Sequence, residues 1–278
     1  MEKAYENLMV ASDHGAPAPT SPAQHDIETA ESLAGTNSEW TRERIHTLHA
    51  LIHVRLAAAS DNLAGTGTLL GQKGEGVFSP WSVARSVLEI AGIAYWLLEP
   101  GLTTESRLAR SFTDRLVSIR GAARFGGKAG SQFDFKQRAG DVTALAGRLG
   151  MSASGSGLKV WVDQPQPSKT ELVTELLGSR LSSANYSLFS GWAHGEAWAL
   201  LDTLQRSKDT EDPSGTGRTL RGASLTFDHY QFIAALASKG FTNAVDRAVA
   251  YFGWASSDWE LSVRRAFGAV GKAPTLIE

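Results

Sequence analysis

Three residues able to exchange protons or make polar contacts recur at fourfold spacing between Ala184 and Gly195: Tyr186, Ser190 and His194, among Ala, Gly, Leu, Phe and Trp. A helix gathers such positions onto one side. Histidine titrates near neutrality, so His194 is the candidate proton donor or acceptor. A second unusual place is Ser79 to Pro100, where Arg85 and Glu89 stand four apart in a segment rich in Val, Leu, Ile, Ala, Tyr and Trp. A buried ion pair adds little net stability over apolar residues of similar volume, so its presence there points towards a site. Arg85, Glu89, Gly92 and Trp96 share one helical face, on which Gly92 opens space and Trp96 can floor a pocket. The candidate catalytic set is therefore His194, Arg85, Glu89, Tyr186 and Ser190. A Ser–His nucleophilic pair is disfavoured, because both lie on one helix that aims them outward in parallel and no nucleophile elbow is present. Two structural alternatives stand beside this reading: an internal ion pair for Arg85 and Glu89, and a satisfied core histidine for His194.

Other chemistries are narrowed by composition. With no cysteine, the chain forms no disulfide, performs no thiolate catalysis and offers only His, Asp and Glu to a metal. Glu39, Arg42, His46, His49 and His53 fall in one sector of a predicted helix, and Glu43-Arg-Ile-His46 matches one half of a carboxylate di-iron motif. A second half is missing, so no metal is assigned, and the alternative is a boundary stripe of polar aromatics. Gly126 to Ser131 lacks the first glycine of a phosphate loop and has Ala129 where Ser or Thr is needed. No cofactor is expected.

The formal net charge is −2, which argues against a surface wholly built for polyanions. Charge is uneven, however. Between Glu105 and Arg148 nine basic residues face four acidic ones, a surplus of about +5. This segment reads either as a solvated helix face with a loop or as a docking strip for phosphates, with Arg107, Arg110 and Arg115 as candidate nucleic-acid contacts.

The elements that must position these residues are mostly helices. Residues 1–36 carry Ala-Pro-Ala-Pro, Ser-Pro and scattered Gly without a sustained apolar period, the composition of a disordered tail, within which a short helix from Asp26 to Leu33 is allowed. Helical spacing is predicted over Glu39–Leu63, closed by Gly65 and Gly67, and from Ser79-Pro80 to Pro100. Further helices run over Thr104–Ile119, Asp134–Leu149, Ser168–Leu177 with a capping box, Ser183–Leu204, Phe227–Ser238, Thr242–Phe252 and onward from Ser257. Lys159–Asp163 is the one strand-like run in its half of the chain, and a lone strand makes no sheet. The expectation is an all-α multi-helix bundle over residues 37–275 in a single domain. The N-terminal residues show no export signal and the longest apolar run is too short to span a bilayer, so a cytoplasmic protein without a membrane partner is expected.

Arg85-Ser-Val-Leu-Glu89, Tyr95-Trp-Leu-Leu-Glu-Pro100 and Tyr186-Ser-Leu-Phe-Ser-Gly-Trp-Ala-His194-Gly together resemble the HEPN-like helical proteins over roughly residues 40–205. The resemblance implies a helical bundle that is either a metal-independent RNase of toxin and defence systems or a non-catalytic partner. The family signature is an Arg followed after four to six residues by His, both acting on the RNA phosphate and 2′-hydroxyl. No Arg stands so before His194; the matches are Arg42 and Arg44 ahead of His49. Three functions follow: a nucleic-acid-directed stress or defence protein, a helical-pocket protein that binds or transforms a small molecule, and a non-catalytic homo-oligomeric partner whose interface is the Trp254 and Trp259 region.

Overall fold

A computed structural model of the chain describes residues 2–11, 15–71, 78–126, 134–178, 183–194, 196 and 227–269. Ten helices and one hairpin are formed among them: α1 (Glu2–Ala11), α2 (Pro22–Ala34), α3 (Arg42–Gly71), α4 (Ser79–Leu97), α5 (Thr104–Gly126), α6 (Phe135–Arg148), β1 (Ala153–Ser156), β2 (Lys159–Val162), α7 (Lys169–Leu177), α8 (Ser183–His194), α9 (Phe227–Phe252) and α10 (Ser257–Ala269). With 76% of the structure helical and a single two-stranded sheet, the class is all-α. No described helix is long and apolar enough to cross a membrane.

The centre is α4, the most apolar of the helices, which touches α3, α9, α7, α8 and α5. Its Trp81, Ala84, Val87, Leu88, Ala91, Ala94 and Leu97 have essentially no exposed surface. Small residues along it let its neighbours come close. A Cβ on Gly92 would stand 3.2 Å from Leu172 of α7, and one on Gly240 of α9 would meet Leu88 of α4 at 2.5 Å. The space expected at Gly92 is thus filled by α7, and Trp96 lies under the Arg110 guanidinium at 5.0 Å, so neither contributes to a pocket beside Arg85.

The carboxyl end of α4 carries carbonyls without helical partners and the negative end of the helix dipole. Three arginines satisfy it. Arg107 donates to Leu97 O at 2.9 Å, Arg110 to Trp96 O at 2.6 Å, and Arg247 of α9 to Tyr95 O at 2.8 Å. Arg110 also pairs with Glu99. Arg107 and Arg110 are buried, and the expectation that they form a phosphate-docking strip is corrected: Arg107 is held by Asp26 and backbone carbonyls, and Nη1 of Arg110 by Trp96 O and Glu99.

A second core joins α2, α5, α6 and the hairpin through Ile27, Ala30, Trp40, Leu108, Phe112, Val142 and Val162. This corrects the disordered tail expected over residues 1–36. Ser21 caps α2 and Pro22 opens it, Ala23 and Ala30 have no exposed surface, and Tyr5 and Leu8 of α1 enter the main core. What anchors α2 is polar. Asp26 accepts from Thr104 at 2.7 Å, from Arg107 at 3.0 Å and from Tyr251 at 2.6 Å.

Other expectations shift for similar reasons. Gly65 and Gly67 do not end α3, which runs on to Gly71 beside Val83 of α4. The two helices expected around Gly240 are one, because Gly240 sits at a close crossing with α4 and α7. Lys159–Val162 finds a partner in Ala153–Ser156, turning at Gly157 with φ +59. Thr113 of α5 bonds both the N–H and the carbonyl of Val162, fixing the hairpin to the bundle. Trp254 and Trp259 are buried rather than exposed: Trp254 donates to Ala16 O and Trp259 to Asp246.

Candidate functional site

The amino-terminal half of α4 and the whole of α8 run past each other, joined through Trp81, which stacks on Trp192 at 5.1 Å and meets Phe189 edge-on. With Phe189 and Trp192 sunk in the core, Tyr186 and His194 are held on the side that meets Arg85 and Glu89. Arg85 donates through Nε to Glu89 Oε1 at 2.6 Å and through Nη2 to Tyr186 Oη at 3.4 Å. Tyr186 donates to the same Glu89 oxygen at 2.8 Å. Arg85 Nη1 stands 2.5 Å from His194 Nε2. A guanidinium has no acceptor, so Nε2 accepts, and His194 is a neutral imidazole with its proton on Nδ1. Lys169 at the start of α7 donates to the second oxygen of Glu89.

Four of the five residues singled out in the sequence therefore meet: Arg85, Glu89, Tyr186 and His194. Ser190 is half-buried on the same helix and makes no hydrogen bond with any of them. Arg85 and Glu89 are mostly shielded, with side chains 15% and 13% exposed, whereas His194 is exposed. Arg85, Glu89 and Lys169 leave a net charge of +1 at the cluster.

The electrostatics follow from this arrangement. Burial pushes the Glu89 carboxyl up, but hydrogen bonds from Lys169 and Tyr186 and the charges of Arg85 and Lys169 outweigh it, so its pKa lies below the ordinary carboxylate value. Burial and the Glu89 carboxylate push the Tyr186 phenol up to about 12, so it stays protonated. Burial opposes the charge of Arg85, yet Glu89 more than compensates and holds the guanidinium more firmly charged.

Lys169 was missed in the sequence reading. Its one signal was position: the capping box Ser168 to Glu171 places it in the first turn of α7. The histidine stripe of α3, by contrast, diverges. His46 is exposed, His49 bonds Tyr251 at 3.0 Å, and His53 packs against both Phe252 and Trp254, which stack on each other. Tyr251 gives its own proton to Asp26, so His49 donates to it through Nε2. Burial, with His53, His46 and Arg107 nearby, lowers the His49 pKa to about 3. The Arg42 and Arg44 matches ahead of His49 therefore make no Arg–His pair: Arg42 binds Glu31 and Arg44 binds Glu39. Among the described residues, no group of three or more His, Asp or Glu could hold a metal ion. Of the candidate nucleic-acid contacts, Arg115 alone is exposed, beside Arg44 and over Phe112.

No family model, curated protein or solved structure matches the chain.

Proposed function

We propose that the protein is an HEPN-like, metal-independent RNase of a stress or defence system, acting at Arg85 and His194. The observation that carries this reading is the 2.5 Å approach of Arg85 Nη1 to Nε2 of an exposed, neutral histidine. The Arg and His of the resemblance come here from two helices instead of one short motif.

In this reading Arg85 turns its Nη groups from the imidazole to the non-bridging oxygens of a phosphodiester, where charge develops. The freed Nε2 of His194 takes the proton of the neighbouring 2′-hydroxyl. The 2′-oxygen forms a bond to phosphorus as the bond to the 5′-oxygen breaks, and the imidazolium returns the proton to that leaving oxygen. The products are a cyclic 2′,3′-phosphate and a 5′-hydroxyl, with atoms, protons and electrons balanced. Glu89 is a positioning residue, holding Nε of Arg85 so that its Nη edge faces outward. Tyr186 stays protonated and fixes the same carboxylate oxygen.

The test is incubation of single-stranded RNA with the full chain in the presence of a chelator, with analysis of the ends formed. Fragments ending in cyclic 2′,3′-phosphate are expected, and a 2′-deoxy substitution at the cut position should block cleavage there. RNA left whole under all conditions would sink the reading and leave the cluster as a clasp between α4, α7 and α8.

A further inference from the structure

The carboxyl-terminal turns of α5, strand β2 and the segment leading into α7 enclose a groove of about 610 Å³. Its lining carries Arg120, Arg124, Lys159 and Lys169 and no acidic side chain. Arg120, Arg124 and Lys159 have no ion-pair partner among the described residues, in contrast to Arg107 and Arg110. Arg120 and Arg124 are four apart on α5 and so rise along one wall about 6 Å from each other. Lys159 comes from β2 and Lys169 from α7, so the cations are spread along the groove rather than focused on one point.

Trp161 is the aromatic member of the lining. It is half-buried, and the hairpin holds it: a Cβ on Gly155 would stand 3.1 Å from its ring, and Gly155 itself has φ +100 and no room beside Lys159 O. A fixed indole within a run of unpaired cations is the composition that binds nucleic-acid strands, phosphates on the basic groups and a base face on the ring. A duplex keeps its base faces stacked inside. An acidic peptide has no comparable flat face to offer. Lys169 closes one end of the groove and also donates to Glu89, which ties the groove to the Arg85 cluster.

We propose that this groove binds a single nucleic-acid strand, with phosphates on Arg120, Arg124 and Lys159 and a base on Trp161, and that Lys169 leads the strand on to Arg85 and His194. Delivery to His194 rests on the RNase reading; capture of the strand does not.

The probe is a short, fluorescein-labelled oligodeoxythymidylate, which lacks the 2′-hydroxyl and stays intact whatever the chemistry at His194. Anisotropy with the full chain is expected to show binding that weakens steeply between about 50 and 200 mM salt, with a log–log slope of about −3 for four phosphate contacts, Lys169 making the fourth. The double variant Arg120→Glu, Lys159→Glu, on exposed or half-exposed positions, should bind at least about 10-fold more weakly and roughly halve that slope. Trp161→Ala should weaken binding about 10-fold while leaving the slope unchanged. An oligoglutamate peptide and inorganic phosphate should compete poorly. Failure of the oligonucleotide to bind, binding untouched by these variants, or displacement by oligoglutamate at equal charge would overturn the groove. Binding with the expected variant losses, alongside RNA left uncut, would keep the groove and remove the RNase reading.

Discussion

His194 Nε2 accepts from Arg85 Nη1 at 2.5 Å although 109 residues separate the two in the chain. The stacked Trp81 and Trp192 beneath them, with Phe189 edge-on to Trp81, hold α8 against the first half of α4. The contact explains why a charged pair persists on the most apolar helix: Arg85 has three partners on two helices.

Glu89 is the residue on which this cluster depends for stability. Removing its carboxylate in Glu89→Ala strands a shielded guanidinium and costs on the order of 3 kcal/mol. Glu89→Gln keeps an acceptor for Arg85 and Tyr186 and should be milder. Urea denaturation of both variants checks this, and an Ala variant as stable as wild type would contradict the network.

Asp26 plays the same part for the N-terminal helices. Its side chain and that of Arg107 are only 5% and 4% exposed, and Tyr251 donates to it as well. Asp26→Ala should cost about 3–5 kcal/mol. Removal of residues 1–36 should destabilise the remainder at least as much, read by thermal melting of the truncated chain. A truncated chain that melts like wild type would restore the view of these residues as a dispensable tail.

Stability should fall on mild acidification. His49 has a folded pKa of about 3 against an ordinary value of 6.5, so between these limits the unfolded chain binds the extra proton. The contribution is complete above pH 6.5 and is lost at up to about 1.4 kcal/mol per pH unit below it. His53, also lowered by burial, acts in the same direction. The depressed carboxyl of Glu89 acts in a separate window, its contribution lost only as pH falls through a folded pKa below 4.5. Denaturation between pH 5 and 7 should show a shallower slope for His49→Gln than for wild type; equal slopes would contradict a neutral, buried His49.

The residues of the site were legible because period shows faces: fourfold spacing put Tyr186 and His194 on one side of a helix, and Arg85 and Glu89 on another. Which faces would meet was not legible, since pairing of α4 with α8 is a tertiary choice. The same limit explains the misread charges. Arg107 and Arg110 looked like solvated cations because their partners, Asp26 and the end carbonyls of α4, are distant in sequence or belong to the backbone. Propensity misled at Gly65, where α3 continues without a break, and at Gly240, where the missing side chain serves a close helix crossing rather than a helix end. The partner of β2 was hidden because Ala153–Ser156 is fully exposed and has no apolar alternation to read.

The most direct test of the account compares His194→Asn with wild type in RNA cleavage and in thermal stability side by side. His194 is exposed, so the substitution should change stability by no more than about 0.5 kcal/mol. Asn keeps polarity but exchanges no proton near neutral pH, so cleavage should fall by at least about 100-fold. A folded His194→Asn variant that cuts RNA at the wild-type rate would contradict the account.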